Sequence, residues 1–281
     1  MPELPEVEHA SMLLRRWLAG RTIARAEAES TRVFRGSDRQ MFEMGLPGRR
    51  FERVDRRGKY LVLTFDGDVA LLSHLGMTGK WIRQPPGDPA PDHSRARLRL
   101  DDGVVIHYSD VRLFGRLAIH SASGIATLPE LEELGPDALS DGVDVDRLAA
   151  KLSGTPRAVK LVLMDQSVLA GIGNIQATEA LFRARVHPAR PGRSLDRSEV
   201  RAIARGIEAS IAHTIQQIRR EEEMRLPEER EKSPFLVYDR AGEPCPRCRT
   251  RTGRILLGGR TTAFCPRCQP RAHREAHARA A

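Results

Sequence analysis

The sequence predicts an α+β multidomain protein with an N-terminal β-sandwich and N-terminal helix, a helical domain, and a small C-terminal β-hairpin. Strand-like runs fill the chain to about residue 125, a helical period follows, and all four cysteines lie near the C-terminus. The 281 residues suffice for two domains and a small module. We expect domains over 1–125, 126–235 and 236–270, and a basic tail over 271–281.

Short apolar runs separated by turn residues characterise the first region. An amphipathic helix is predicted from Pro5 to Leu18, ending before Gly20. The strand-like runs after it are Tyr60–Phe65, Val69–Leu75, Arg95–Leu100, Val104–Ser109 and Arg116–His120. Asp66-Gly67 and Asp102-Gly103 separate neighbouring runs as hairpin turns. The pattern favours a sandwich or flattened barrel with the helix laid against it.

Helical periodicity marks the second region. The predicted helices are Asp144–Leu152, Arg157–Asp165, Ile175–Ala184 and a long helix from about Ser198. Asp196 and Glu199 have the spacing of a capping box for the long helix. The glycine-rich segment Leu169–Asn174 lies at a helix N-terminus, where backbone N–H groups can bind a phosphate. A tight turn without a ligand is the alternative.

The cysteines form two C-x2-C pairs, Cys245/Cys248 and Cys265/Cys268, separated by sixteen residues. This spacing predicts one structural zinc ion held by four thiolates, with no position open for chemistry. Disulfides are disfavoured because we recognise no signal peptide, and a redox pair is disfavoured because no βαβ unit surrounds it. The segment between the pairs predicts a β-hairpin that turns at Gly258-Gly259.

Pro2 becomes the N-terminal residue when the initiator Met is removed. A terminal proline has a free secondary amine, which gives a cationic iminium with a sugar aldehyde and so suits covalent catalysis. The neighbouring Glu3 supplies a carboxyl group for acid–base chemistry. The alternative is that these residues only start the first helix.

The net charge of +9 and the lack of a long apolar run favour a polyanionic partner over a membrane. Only five of the 46 Lys and Arg residues are lysine, so Lys59 in Arg56-Arg57-Gly58-Lys59-Tyr60 is conspicuous. An ordinary solvated lysine at a turn is the alternative.

Several motifs occur together in one order and resemble the formamidopyrimidine-DNA glycosylase family. They are Pro2–Glu8 (Pro-Glu-Leu-Pro-Glu-Val-Glu), Arg57-Gly58-Lys59, Ser73–Gly79, Asp110–Gly115, Gly171–Ile175, Thr178–Phe182 and the four-cysteine finger. The resemblance covers Pro2 to Gln269. Leu4 is similar to this branch, since the endonuclease VIII branch usually carries glycine there.

The resemblance implies a base-excision repair DNA glycosylase with AP-lyase activity. It would excise oxidised or ring-opened bases through an N-terminal proline Schiff base and β/δ-elimination. The implied architecture is a β-sandwich, a helix–two-turn–helix domain and a zinc finger with one Zn²⁺ per chain. The partner would be damaged double-stranded DNA, the protein a monomer without membrane association, and its location the cytoplasm at the bacterial nucleoid.

The resemblance also assigns roles to individual residues. Pro2 would attack C1′, Glu3 would act as general acid and base, and Lys59 would contact the phosphates of the target nucleotide. An extruded nucleotide leaves a space in the duplex, which Met77, Arg112 and Phe114 would fill. For Met77 and Phe114, core packing is the alternative.

Further DNA-binding positions follow from the same resemblance. The positions that match phosphate contacts are His74, Asn174, Tyr238 and Arg260. Lys160 matches a lysine near the lesion pocket, and a solvated helix face is the alternative.

Two departures leave the preferred lesion open. Family members usually carry a Gly/Ser/Thr-rich lid before the finger, whereas residues 219–232 contain six glutamates and no glycine. A charged helical extension or a disordered charged lid is expected instead. Gln176 also stands where tyrosine is common. Formamidopyrimidines, oxidised pyrimidines, abasic sites or a bulkier adduct remain candidate substrates, and the opposite base, β- versus β,δ-elimination and the presence of paralogues stay open.

A DNA-damage-binding protein on the same scaffold is the main alternative function. Loss of Pro2, Glu3 or Lys59 would have indicated it, and all three are present. A zinc-ribbon transcription factor would not explain the N-terminus.

Overall fold

Eight strands in the described part of the N-terminal unit form two antiparallel sheets. The structure is a computed structural model that describes residues 2–35, 38–224 and 234–271, with the backbone alone for 221–224. The chain divides into two units between Glu133 and Leu134. The strands are β1 (Ile23–Ala28), β2 (Phe51–Arg57), β3 (Tyr60–Phe65), β4 (Val69–His74), β5 (Lys80–Gln84), β6 (Ser94–Leu100), β7 (Val105–Ser109) and β8 (Arg116–Ser121). One sheet has the order β1-β6-β7-β5 and the other β2-β3-β4-β8.

The predicted sandwich is confirmed, and the five predicted strands correspond to β3, β4, β6, β7 and β8. The prediction missed β1, β2 and β5. In β1 and β2 the first two buried side chains are three residues apart, Ile23 and Ala26 in one and Phe51 and Val54 in the other. A register shift lies near the start of both strands, so the period of two that marks a strand in sequence is broken there.

The N-terminal helix α1 (Leu4–Leu18) lies against β2, β3 and β5. Its Val7, Leu14 and Leu18 are fully buried in the same core as the sandwich side chains, so the helix covers part of that core. A second helix, α2 (Asp38–Gly45), was not predicted, and it buries only Phe42. A short helix, α3 (Pro129–Glu132), ends the unit.

Helices dominate the second unit, as predicted. They are α4 (Val145–Ser153), α5 (Val159–Leu163), α6 (Asn174–Ala184) and α7 (Arg197–Met224). The predicted cap of the long helix is present, since Asp196 Oδ1 accepts from Glu199 N–H and Glu199 Oε2 accepts from Asp196 N–H. Helix α5 is shorter than predicted because Ala158 pairs with Pro191 in an isolated β-bridge.

The predicted hairpin near the C-terminus is formed by β9 (Gly253–Leu257) and β10 (Arg260–Phe264). Gly258 and Gly259 make its turn with φ angles of 54° and 71°, which glycine adopts readily. The predicted boundaries at 125/126, 235/236 and 270/271 stay predictions, and residues 272–281 of the predicted tail lie outside the described residues. Within the described ranges, no helix has both the length and the apolar character to cross a membrane.

Candidate functional site

Pro2 and Glu3 lie where the chain enters α1. Glu3 is the N-cap residue and is fully buried, and it forms a reciprocal capping box with Glu6. In that box Glu3 N–H donates to Glu6 Oε2 at 2.9 Å. Burial raises the pKa of Glu6. Glu3 therefore starts the helix, and its buried carboxyl group belongs to the residue that directly follows Pro2.

Lys59 lies in the two-residue turn between β2 and β3, as predicted. This hairpin is joined to α1 by an ion pair between Arg56 Nε and Glu8 Oε2 at 2.6 Å. Arg56 Nη1 also donates to the carbonyl oxygen of Gly58 at 3.0 Å. One buried guanidinium thus fixes the Lys59 turn relative to the helix that begins after Pro2, and the sequence offered no signal for this role beyond a basic run.

His74 is the last residue of β4, and Tyr60 is its cross-strand partner. The two rings lie 4.8 Å apart between centroids. Burial lowers the pKa of His74 to about 4, with Lys59 and Arg116 adding to the effect. Its Nδ1 accepts a hydrogen bond from Gly76 N–H, so the neutral ring carries its proton on Nε2. The site therefore presents an uncharged N–H donor next to a lysine.

Two loops that carry Met77, Arg112 and Phe114 lie side by side because both cross between the sheets at one edge. The first, residues 75–79, leads from β4 to β5, and the second, residues 110–115, leads from β7 to β8. The strands that flank them are paired, since His74 lies opposite Arg116 and Lys80 opposite Ser109.

Asp110 fixes the conformation of the second loop. It is fully buried, and its Oδ1 accepts from the Thr78 hydroxyl at 2.5 Å and from Arg112 N–H at 3.2 Å. Its Oδ2 accepts from Gly115 N–H at 2.8 Å. The same Thr78 oxygen accepts from Arg112 N–H at 3.0 Å, so one carboxylate ties both loops together.

The loops approach each other at backbone distance, which explains their glycines. A Cβ on Gly76, whose φ is 62°, would lie 2.4 Å from the carbonyl carbon of Phe114. A Cβ on Gly115 would lie 1.8 Å from the hydroxyl oxygen of Tyr108. That hydroxyl donates to the carbonyl oxygen of His74 at 3.1 Å. Substituting Gly76 would force the loops apart, and substituting Gly115 would displace the Tyr108 hydroxyl.

Phe114 is exposed over 48% of its surface, so core packing is wrong for this residue. Its ring lies between two guanidinium groups, with Cζ of Arg32 4.9 Å and Cζ of Arg112 5.0 Å from the ring centroid. Met77 is half-buried. The 110–115 loop therefore presents an aromatic ring and a guanidinium together, and the half-buried Met77 lies on the adjacent loop.

Lys160 and Asn174 meet in the second unit. Lys160 is fully buried, so the solvated-face interpretation is wrong. Its ammonium donates to Asn174 Oδ1 and to the Thr262 hydroxyl, both at 2.5 Å. Asn174 is the first residue of α6 and Thr262 lies on β10, so this lysine links a helix start to the finger. Arg260, two residues before Thr262, is exposed, as expected for a hairpin turn.

The glycine-rich turn before α6 is held by Gln166. Its side-chain amide donates to the carbonyl oxygens of Met164 and Ile172, both at 2.8 Å, and its Oε1 accepts from Gly171 N–H at 3.0 Å. The turn is thus rigidly shaped at the N-terminus of an eleven-residue helix. The sequence predicted the turn but did not indicate that Gln166 holds it.

Tyr238 lies in the segment that leads into the finger. Glu179, almost fully buried on α6, accepts hydrogen bonds from the backbone N–H groups of Leu236, Val237 and Tyr238 at 2.8–3.0 Å. The Tyr238 ring also packs edge-to-face with Phe235 at 5.5 Å. A single carboxylate therefore places Tyr238, and sequence reasoning had assigned Glu179 no role.

The finger contacts the other end of α6 through Arg247, which lies between the first two cysteines. Its guanidinium lies over the Phe182 ring at 4.6 Å and donates to the Phe182 carbonyl oxygen at 2.7 Å and to that of Arg183 at 3.3 Å. It therefore caps carbonyls at the C-terminal end of α6. The corresponding arginine of the second pair, Arg267, is exposed.

The four cysteine sulfurs fit a zinc ion. None of the four forms a disulfide, and all Sγ atoms lie within 4.8 Å of one another. The Sγ–Sγ distance is 3.5 Å for Cys248 and Cys265 and 3.9 Å for Cys245 and Cys268. A tetrahedral site with Zn–S bonds of about 2.3 Å requires about 3.8 Å between sulfurs. The donor set and its size both suit one structural zinc.

Gln176 and the 219–232 segment are the two places where the sequence departs from the pattern of the family it resembles. Gln176 is fully buried; its Nε2 donates to the Thr214 hydroxyl at 3.0 Å, and its Oε1 accepts from the Ser210 hydroxyl at 2.7 Å. It therefore joins α6 to α7. Residues 219–224 are the last turns of α7, and 225–232 of the predicted lid lie outside the described residues.

Family models of known proteins match most of the chain. The N-terminal domain of formamidopyrimidine-DNA glycosylase matches residues 1–117, its H2TH (helix–two-turn–helix) domain 134–223, and a zinc finger found in FPG and IleRS 242–271. The chain is 39% identical over 277 residues to the formamidopyrimidine-DNA glycosylase of Roseiflexus sp. (strain RS-1), covering 96% of this chain and 100% of the relative. Identity to the Symbiobacterium thermophilum protein of that name is 38% over 276 residues, covering 96% and 90%.

Solved structures agree with these sequence matches. The Lactococcus lactis formamidopyrimidine DNA glycosylase, non-covalently bound to DNA containing an AP site, superposes with a TM-score of 0.84 at 29% identity, covering 96% of this chain and 100% of that one. The MutM (Fpg) protein of Thermus thermophilus gives a TM-score of 0.79 at 35% identity, with the same coverage.

Proposed function

Because this chain belongs to the formamidopyrimidine-DNA glycosylase family, we propose that Pro2 and Glu3 carry its chemistry at the start of α1. As a member of that family it is a base-excision repair DNA glycosylase with AP-lyase activity, and its partner is damaged double-stranded DNA. Its finger holds one structural zinc ion. The observation that carries the proposal is the buried N-cap carboxyl of Glu3 directly after Pro2.

The proline nitrogen attacks C1′ of the damaged nucleotide. A bond forms between this nitrogen and C1′, the glycosidic bond breaks, and the base leaves with its electron pair and a proton. Glu3 supplies acid–base catalysis for opening the sugar ring, which leaves an iminium between Pro2 and C1′. The positive end of α1 disfavours a protonated amine and so favours the nucleophile.

The iminium then promotes strand cleavage. It acidifies the C2′ proton, and the removal of that proton expels the 3′ phosphate by β-elimination. A second elimination expels the 5′ phosphate, and hydrolysis of the iminium releases Pro2. These steps need a base near C2′, for which Glu3, next in sequence to the attacking nitrogen, is the candidate.

Extrusion of the nucleotide is assigned to the two adjacent loops of the sandwich. Phe114 enters the base stack, Met77 fills the space left behind, and the Arg112 guanidinium donates to the edge of the orphaned base. The exposure of Arg112 and Phe114, and the Asp110 contacts that join their loop to the loop of Met77, support this role.

The remaining predicted residues are assigned to the DNA backbone. Lys59 supplies a charge to the phosphates of the target nucleotide, and His74 supplies a neutral N–H donor beside it. The other assigned phosphate contacts are Asn174, Tyr238 and Arg260. Lys160 acts through Asn174, since its ammonium is buried. We also propose that the protein works as a monomer in the cytoplasm, at the nucleoid.

Borohydride trapping on a duplex with an abasic site tests the catalytic assignment. A protein–DNA adduct is expected, and peptide mass mapping should place it on residue 2. Inserting one alanine between Met1 and Pro2 ties the proline nitrogen into an amide, so trapping should fall and any residual adduct should lie on the new N-terminal amine and not on the proline, while Pro2→Gly retains a primary amine at the same position and should trap partially. An adduct on Lys59, or undiminished trapping by the insertion variant, contradicts the role of Pro2. Binding without any adduct would indicate a damage-binding protein.

A further inference from the structure

Arg32, in the segment after β1, contacts three consecutive residues of the 110–115 loop. Its Nε donates to the carbonyl oxygen of Leu113 at 3.0 Å, and its Nη2 donates to that of Arg112 at 2.7 Å. The same guanidinium lies 4.9 Å from the centroid of the Phe114 ring. Arg32 is 80 residues away from the loop in sequence and belongs to no motif described above.

The loop that Arg32 contacts has an unfavourable backbone. Leu113 has a φ of 58°, in the left-handed region, which costs about 1–2 kcal/mol for a residue with a side chain. Asp110 holds the N–H groups of Arg112 and Gly115, and Arg32 holds the carbonyl groups of Arg112 and Leu113. The two side chains therefore fix opposite polar groups of the same turn.

The planar fork of Arg32 is suited to this contact in a way that a lysine is not. Two of its nitrogens reach two successive carbonyl oxygens while its face covers an aromatic ring, which a single ammonium cannot reproduce. Together with Phe34, Arg35, Leu113 and Phe114 it lines an open hollow of about 390 Å³. Because its Nε and Nη2 donate to the loop, the Arg32 guanidinium holds the backbone next to Phe114.

We propose that Arg32 is a positioning residue for the insertion of Phe114 and Arg112 into the duplex, an inference that rests on the void-filling role proposed above. Insertion requires the ring to enter the stack while its backbone stays fixed. A loop held in that shape before DNA arrives avoids the entropy cost of ordering it on binding. Arg32 thereby affects the extrusion step and leaves the chemistry at Pro2 unchanged.

Stopped-flow fluorescence of 2-aminopurine placed next to a tetrahydrofuran abasic analogue reports insertion. Arg32→Lys keeps the charge and loses the fork, so the insertion rate should fall about tenfold, which corresponds to about 1.4 kcal/mol. Cleavage of a preformed abasic site in single-stranded DNA, where no stack is entered, should be unchanged. Arg39→Ala, which removes an arginine ion-paired with Glu43 on α2, is the matched control and should insert normally. Arg32→Gln, which keeps one amide donor, serves as a second test of the fork.

Each outcome is decisive. Normal insertion by Arg32→Lys, together with a defect in Arg32→Gln, would show that charge alone matters and would overturn the positioning role. Normal insertion by both variants would overturn it as well. Phe114→Ala separates the two proposals. A normal insertion rate in Phe114→Ala would show that the void-filling role itself is wrong. A slow rate in Phe114→Ala with a normal rate in Arg32→Lys would reject only the positioning role of Arg32. Equal loss of single-strand cleavage in Arg32→Lys would point to general damage of the fold and contradict the proposal.

Discussion

The ammonium of Lys160 donates a hydrogen bond to Oδ1 of Asn174 at 2.5 Å. The lysine is fully buried, and it also donates to the hydroxyl of Thr262 on the finger hairpin. This buried side chain thus joins the first residue of α6 to β10, the strand that begins at Arg260.

Lys160→Met should weaken binding to an abasic-analogue duplex through Asn174. The change leaves the buried Thr262 hydroxyl and the half-buried Asn174 amide oxygen without this donor, and the buried group alone costs about 1–3 kcal/mol of unfolding free energy. A double-mutant cycle with Asn174→Ala, read as Kd, should show that the two losses are not additive. Lys151→Met, on an exposed position of α4, is the control. Full additivity would mean that Lys160 acts independently of Asn174.

Glu3→Gln should impair base excision more than strand cleavage at a preformed abasic site, because the amide retains an oxygen acceptor for the capping box but loses the acid–base function. The two rates are measured in single-turnover reactions on lesion and abasic duplexes. Glu6→Gln, which alters the other half of the cap, controls for helix destabilisation. An equal loss of both activities in Glu3→Gln would argue against its role in releasing the base.

Arg247→Ala and Arg267→Ala form a matched pair, since both arginines stand between two cysteines. Arg247→Ala should lower the unfolding free energy by about 1 kcal/mol, less than for a buried charged donor because the arginine is partly solvated. Arg267→Ala should change it by less than about 0.5 kcal/mol: both arginines are exposed, but it is the Arg247 side chain that contacts the ring and carbonyl oxygen of Phe182. Zinc content by elemental analysis should stay at one per chain in both. Equal destabilisation by the two changes would refute the docking role of Arg247.

His74 should make the fold less stable in acid. The unfolded pKa is near 6.5 and the folded pKa is about 4, lowered by burial first and then by Lys59 and Arg116. Between these values the unfolded chain binds a proton that the folded chain does not, so stability falls as pH drops through that window. The full shift corresponds to about 3 kcal/mol.

The contribution is measured as the change in unfolding free energy between pH 7.5 and pH 4.5, for the natural protein and for His74→Asn. Asparagine is chosen because its side-chain oxygen can replace Nδ1 as the acceptor from Gly76 N–H. Burial also lowers the pKa of His107 and His187, and acid releases zinc. These effects occur in both proteins and cancel in the difference. An identical loss of stability in His74→Asn would contradict the prediction.

The 219–232 segment should make 8-oxoguanine a poor substrate relative to formamidopyrimidine or abasic sites. It offers bulky charged side chains where small residues would allow several backbone N–H groups to approach a base, and its carboxylates oppose a polyanion. Single-turnover rates on 8-oxoguanine:cytosine and abasic duplexes give the comparison. Efficient 8-oxoguanine release that survives replacement of 221–231 by a short Gly-Ser linker would contradict the prediction and show that the base is read elsewhere.

Sequence patterns predicted the features that depend on neighbours in the chain. The hairpin turns at Asp66-Gly67 and Gly258-Gly259, the Asp196 cap and the four-cysteine module all rest on local chemistry. Strands β1 and β2 escaped detection because their bulges break the alternation of buried residues.

Residues whose role depends on distant partners could not be predicted. Lys160 meets Thr262 across 102 positions, and Arg32 meets Leu113 across 81. No periodicity or spacing rule connects such pairs, since the contact exists only after the chain has folded. Asp110 belongs to one of the sequence motifs, but its role as the acceptor for Thr78, Arg112 and Gly115 became visible only from the folded loops.

The three amide contacts of Glu179 determine where the chain resumes after α7. Helix α7 fixes the start of the intervening segment, and this carboxylate fixes Leu236–Tyr238 at its end. Because these contacts tie the entry to the zinc module directly to α6, the position of the module does not depend on the length of the segment that precedes Pro234.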